Sequence, residues 1–257
     1  ETVFFDLFGF EVVYLNSPNE NKMLKLALNR DTEAIRRIGF ELEITEDVRL
    51  LLKSTSNLFL ESIQNDEEIS TNYMIGIGIA LYKIGKISDS DKLFRQLLDL
   101  DNSDLSLPDE ALVLAGAGRI SRQRGDVEKA KTSFKRSLRL YRQLGDKEGE
   151  RELIGNLGDL AKGIGDLETA EQHHTNCLTL AKENNNARGE ATSLSSLGSI
   201  ARQRGEMDKA INLHKLSLKI ARDSGYSQRE ASNLGSLADI QIHFGNLLML
   251  APILVSF

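Results

Sequence analysis

Five glycines stand forty residues apart in this chain, at Gly85, Gly125, Gly165, Gly205 and Gly245. Glycine at a fixed long period marks points where the backbone takes a conformation that other residues resist. Other columns keep the same phase. Seven residues before each glycine lies a small residue: Gly78, Gly118, Gly158, Gly198 and Ala238. Five residues after come Ser90, Ala130, Ala170 and Ala210, and four further on a ring, at Phe94, Phe134, His174 and His214. Four beyond those lie Leu98, Leu138, Leu178 and Leu218. A period of this size implies an array in which one supersecondary unit recurs and buries its apolar side against its neighbours. The expected fold is all-α, an α-solenoid of antiparallel helix pairs.

Each column has a physical reason. A glycine after a helix takes the left-handed conformation without a Cβ penalty. The acidic residues that follow it, Asp126, Asp166 and Glu206, are expected to cap the next helix. Small residues in the 78 and 90 columns let two helices approach closely. The leucines, with Leu140, Leu180 and Ile220, supply the stripe that neighbouring pairs bury. The links between pairs are short and polar: Gly145-Asp146-Lys147, Asn184-Asn185-Asn186 and Ser224-Gly225-Tyr226.

The order of small residue, glycine, alanine and ring resembles the tetratricopeptide repeat. Leu157-Gly158 and Leu197-Gly198 match its Leu-Gly pair, Ala130, Ala170 and Ala210 its alanine, and Phe94 and Phe134 its aromatic. The tryptophan position of that family instead holds Met74, Leu114, Ile154, Leu194 and Leu234, and its tyrosine position holds Leu81, Ser121, Ala161, Ala201 and Gln241. The period is longer than the usual one. This looks like the forty-residue subclass of Pins/LGN-type adaptors and of prokaryotic signalling proteins. The resemblance implies a right-handed superhelix whose first helices line a concave groove, and a role in protein–protein interaction.

The chain is read in four parts: an N-terminal extension at 1–30, a degenerate first repeat at 31–66, clear repeats at 67–245 and an apolar tail at 246–257. Within the extension, Val3 to Leu15 is rich in aromatic and β-branched residues and reads as a strand or the remnant of a preceding element. Asp31 is a plausible helix cap. The tail breaks the pattern, with Leu250 in the alanine column and Pro252 inside what would be a second helix, so self-association through it is one expectation. Because the chain begins at Glu1 and its last repeat breaks off, a longer or processed parent is expected.

Composition narrows the function. A net charge of −6 argues against a general nucleic-acid binder, which carries a basic excess. A single cysteine, Cys177, forms no internal disulfide and fits a reducing, cytoplasmic setting. No apolar run reaches the length of a membrane span.

No set of catalytic residues converges, and no cofactor or metal is expected. His173 and His174 are adjacent and point apart on a helix, and His174 and His214 fit the ring position of the repeat. Cys177 lies three residues after His174, yet no third group orients the two, and a packed thiol is the simpler reading. Gly76-Ile77-Gly78 and Gly116-Ala117-Gly118 lack the context of a phosphate loop.

Carrying the family's groove over by position places Tyr82, Arg119, Arg122, Gln123, Asp159, Lys162, Ser199, Arg202, Gln203 and Asp239 on the binding face, with Lys83 and His243 beside them. The basic members would form a strip able to hold a carboxylate or phosphate in two-point fashion. The expected partner is a protein or peptide, an acidic one among them. Basic residues in last helical turns also suit the helix dipole, which is the alternative reading of Arg122, Arg124, Arg202 and Arg204. Binding of a chaperone tail by the family's two-carboxylate clamp is not expected, because those columns hold Ile75, Ala115, Gly155 and Ser195, then Ile79, Arg119, Asp159 and Ser199. A second expectation is the sensor or oligomerisation region of a larger signalling ATPase or transcription regulator.

Overall fold

The computed structural model describes residues 2–5, 10–13, 71–83, 85–99 and 105–243. The degenerate repeat expected at 31–66, Gly245 and the apolar tail lie outside the described residues. Strand β1 (Thr2–Phe5) pairs antiparallel with β2 (Phe10–Val13), with Thr2 opposite Val13 and Phe5 opposite Phe10. The other described elements are helices. Helices α1 (Thr71–Lys83), α2 (Ile87–Asp99), α3 (Leu107–Gln123) and α4 (Val127–Leu144) follow the hairpin. Then come α5 (Lys147–Gly163), α6 (Leu167–Glu183), α7 (Ala187–Gln203), α8 (Met207–Asp223) and α9 (Ser227–His243). The class is all-α and the fold an α-solenoid of antiparallel pairs. The chain divides into two compact units, residues 1–144 and 145–257.

The turns after the first helices of the pairs are built the same way. Gly85, Gly125, Gly165 and Gly205 all have positive φ, between 79° and 84°. After α3, the Gly125 N–H donates to the Arg122 carbonyl at 3.0 Å and the Asp126 N–H to the Ser121 carbonyl at 2.9 Å. This is the Schellman arrangement, which satisfies two carbonyls at the helix end. It recurs after α1, α5, α6, α7 and α8, with Asn185 at φ 51° standing in for glycine between α6 and α7.

The residue that ends this motif also opens the next helix. Asp126 Oδ1 accepts from the Lys129 N–H, Asp166 Oδ1 from Thr169, Asp146 Oδ1 from Gly149 and Asn186 Oδ1 from Gly189. Such caps are worth about 1 kcal/mol each. Glu206 departs from the expectation and makes no cap hydrogen bond. Its side chain is one methylene longer and turns to Lys209, at 3.1 Å.

Inside a pair, the ring column lies on the glycine column. A Cβ built on Gly78 would meet the Phe94 ring at 2.8 Å, and one on Gly158 or Gly198 would meet His174 or His214 at 2.9 Å. The rings are buried, so the glycines are there to let them in. In the alanine column, Ala170 packs with Ala161 of its own pair and Ile200 of the next, and Ala210 does the same with Ala201 and Ile240. Where that column holds a serine, Ser90 donates its hydroxyl to the Gly78 carbonyl at 2.7 Å. In the first unit Ile75, Ile79, Phe94, Leu97, Leu112, Val113 and Ile120 join α1, α2 and α3 into one core. Each such side chain, fully buried, contributes about 1.5–3 kcal/mol relative to exposure.

Candidate functional site

The expected groove residues sit on the first helices of the pairs, near their C-terminal ends. In the first unit Tyr82 lies on α1 and Arg119, Arg122 and Gln123 on α3. In the second, Asp159 and Lys162 lie on α5, Ser199, Arg202 and Gln203 on α7, and Asp239 on α9. The two sets are therefore two patches, each described within its own unit.

In the first patch Arg119 is half-buried, one turn before Arg122. Burial pushes its guanidinium below the ordinary arginine value, opposed by Tyr141 and Tyr82, with Arg122 adding to the depression. An arginine so far above neutrality keeps its proton. The patch thus gathers two cations beside two phenols. Tyr141 was missed in the sequence. Its column continues as Ala181 and Ala221, so a large polar ring among alanines was the signal. Gln123 is exposed at the helix end.

In the second patch the charges are balanced in place. Asp159 Oδ1 stands 3.2 Å from Lys162 Nζ and 3.5 Å from His174 Nε2. Ser199 is half-buried and gives its hydroxyl to the Ser195 carbonyl of its own helix at 3.1 Å. Arg202, Gln203 and Asp239 are exposed.

The four last-turn arginines separate by role. Arg124 forms an ion pair with Asp91 of α2, and Arg204 with Glu171 of α6. Both tie the end of a first helix to the second helix of the preceding pair, so they serve the array. Arg122 is half-buried on α3 and Arg202 exposed on α7.

The remaining chemical candidates are absorbed by packing. His174 is buried against Gly158. Cys177 is buried and its thiol donates to the Arg151 carbonyl at 3.1 Å. Burial pushes that thiol up to about 12, which removes it as a nucleophile at neutral pH. Ser137 and Ser217, one period either side, donate in the same way to the carbonyls of Ala111 and Ala191 at 2.7 and 2.6 Å. This forty-residue column of donors was present in the sequence and went unread. Among the described residues no three His, Cys, Asp or Glu side chains converge on a metal site, and no helix is long and apolar enough to cross a membrane.

Residues 109–183 and residues 193–225 each match a family model described as tetratricopeptide repeat. No curated protein matches the chain by sequence. Among solved structures, a Rap protein complexed with competence and sporulation factor is similar over 90% of this chain and 72% of its own, with a TM-score of 0.69 and 12% identity. A signal transduction ATPase with numerous domains from Pyrococcus horikoshii, which carries a tetratricopeptide repeat sensor, is similar over 87% of this chain and 37% of its own (TM-score 0.62, 13% identity). Bacillus thuringiensis PlcR, in complex with the peptide PapR7 and DNA, is similar over 83% and 75% (TM-score 0.58, 12% identity). At such identities the likeness establishes the fold and nothing finer.

Proposed function

We propose that the chain is a non-catalytic interaction module that holds a peptide, or an extended segment of a partner protein, on the first helices of its pairs. The observation that carries this reading is a contrast between columns. Positions that meet the facing helix keep their type from pair to pair, as Gly78, Gly118, Gly158 and Gly198 do. The column Ile79, Arg119, Asp159, Ser199 and Asp239 does not, and from Arg119 onward its members are half-buried or exposed rather than sealed. A surface that the fold leaves undictated is where a repeat protein acquires selectivity. The complex of PlcR with the peptide PapR7, and that of a Rap protein with competence and sporulation factor, support the same reading. An acidic or carboxylate-bearing peptide suits Arg119, Arg122 and Arg202, since guanidinium forks take carboxylates at two points.

Peptide selection on the immobilised full chain tests this. It should enrich acidic peptides that the variant Arg119→Glu/Arg122→Glu/Arg202→Glu no longer holds, with helicity unchanged by circular dichroism. Equal retention by that variant would remove these residues from the binding face.

A second reading is the sensor region of a larger signalling protein. It is favoured by the Pyrococcus horikoshii neighbour, in which the similar part is 37% of the chain. The complete gene separates the two readings: a phosphate-binding loop or a DNA-binding motif outside this sequence favours the second.

A further inference from the structure

The link between α8 and α9 breaks the pattern of its siblings. Asp146 and Asn186 hold the same position forty residues apart and cap the following helix. Their counterpart is Tyr226. A phenol has no short acceptor for that role, and the Arg229 N–H turns instead to the Tyr226 carbonyl at 3.1 Å. The ring is held in place by its backbone, since the Tyr226 N–H also donates to the Ala221 carbonyl at 2.8 Å.

Two arginines converge on this ring. The guanidinium of Arg188, on α7, lies 5.3 Å from its centroid and that of Arg229, on α9, 5.9 Å. Other cations at this edge of the unit meet carboxylates: Arg151 grips Glu148, Lys182 faces Glu190 and Arg222 meets Glu230. Arg188 and Arg229 meet none among the described residues, and Arg229 Nε is sealed without an acceptor. Both arginines also stand in the first turn of a helix, where the dipole disfavours a cation. A chain of net charge −6 thus concentrates positive charge where a cap is missing.

We infer that Arg188, Tyr226 and Arg229 form an oxyanion-binding site of phosphate class, separate from the face proposed above. The unit itself indicates why a carboxylate is the poorer fit. Glu148 is filled by one arginine fork, at 3.0 and 2.5 Å, plus the Asn186 amide at 2.9 Å. Two forks and a phenol offer more donors than two carboxylate oxygens take up. A tetrahedral phosphate presents enough oxygens for all three.

Titration calorimetry on the full chain, with inorganic phosphate and with a phosphoserine peptide against acetate at matched ionic strength, tests the site. Saturable phosphate binding is expected, weakened by about tenfold or more in Arg188→Gln/Arg229→Gln. It should persist in Lys215→Gln/Lys219→Gln, which removes equal charge from exposed positions of α8. The exposed Arg188→Gln alone serves if the double variant fails to fold. Tighter binding of the peptide than of phosphate assigns the site to a phosphorylated partner, and equal binding to the free ion. No saturable binding, acetate binding as tight as phosphate, or equal weakening by both double variants overturns the inference.

Discussion

Gly118 lies so close to the Phe134 ring that a methyl group in its place would sit 2.5 Å from Cε1. Phe134 is fully buried and has no room to retreat. Gly118→Ala should therefore destabilise the first unit by about 1–3 kcal/mol through overpacking. Gly125→Ala meets nothing within 4 Å but must keep φ at +79°. Its cost is backbone strain alone, about 1–2 kcal/mol. Urea denaturation separates the causes: Phe134→Leu should recover part of the first loss and none of the second.

A chain of hydrogen bonds runs through the second unit. Ser217 donates to the Ala191 carbonyl at 2.6 Å, the Asn233 amide donates to Ser217 Oγ at 2.7 Å, and His214 Nδ1 meets Asn233 Oδ1 at 3.2 Å. Ser217→Ala strips the acceptor from a buried amide and should cost about 1–3 kcal/mol. Ser137→Ala removes one bond of the same kind and strands no side chain, so its loss should be nearer 1 kcal/mol. Equal losses in thermal or urea melts would mean that the Asn233 link adds nothing.

The same chain sets a pH dependence. Because the Asn233 amide is the donor to Ser217, its oxygen faces His214, and the proton of the neutral ring sits on Nδ1. Nε2 is buried over Gly198 without a partner. Burial lowers the His214 pKa; the Asn233 bond opposes this, and the positive charges of Arg202 and Arg229 add to it. The folded state then binds fewer protons than the unfolded state. Stability is complete above the ordinary histidine value near 6.5 and declines as pH falls below it. His173, also lowered by burial first and by His174, acts in the same direction. The loss of stability from about pH 8 to about pH 5 should shrink in His214→Phe/Asn233→Leu, where a ring like Phe134 replaces the imidazole. An unchanged loss would assign the effect elsewhere.

Cys177 should be slow to react. With the thiol raised to about 12 and its Sγ engaged at 3.1 Å, iodoacetamide at mildly alkaline pH should label it only after unfolding. Cys177→Ser should be nearly neutral, since serine holds that column at 137 and 217. Rapid native labelling would contradict the burial.

What was legible in the sequence was whatever repeats by necessity. The glycines of the turns and the rings facing Gly78, Gly118, Gly158 and Gly198 keep their period because sterics allow few substitutes. Polar contacts were harder to read. Leu97, Ser137, Cys177 and Ser217 share one column, yet leucine, hydroxyl and thiol do not look alike, and the shared act of donating to a backbone carbonyl emerges only from coordinates. The cap expected of Glu206 failed by a methylene. The expected binding face is readable only as a set of positions. The pairing of Asp159 with Lys162, and the assignment of Arg124 and Arg204 to inter-helix ion pairs, depended on side-chain directions that spacing does not encode.

Asp126, Asp166 and Asn186 each close one helix and open the next. A single inserted residue would turn everything after it by about 100° and pull such a residue away from one of its two duties. Helix length here cannot drift. A lineage of such chains is expected to lengthen or shorten by whole modules and to vary by substitution between them, much as film advances by sprocket holes and not by arbitrary lengths.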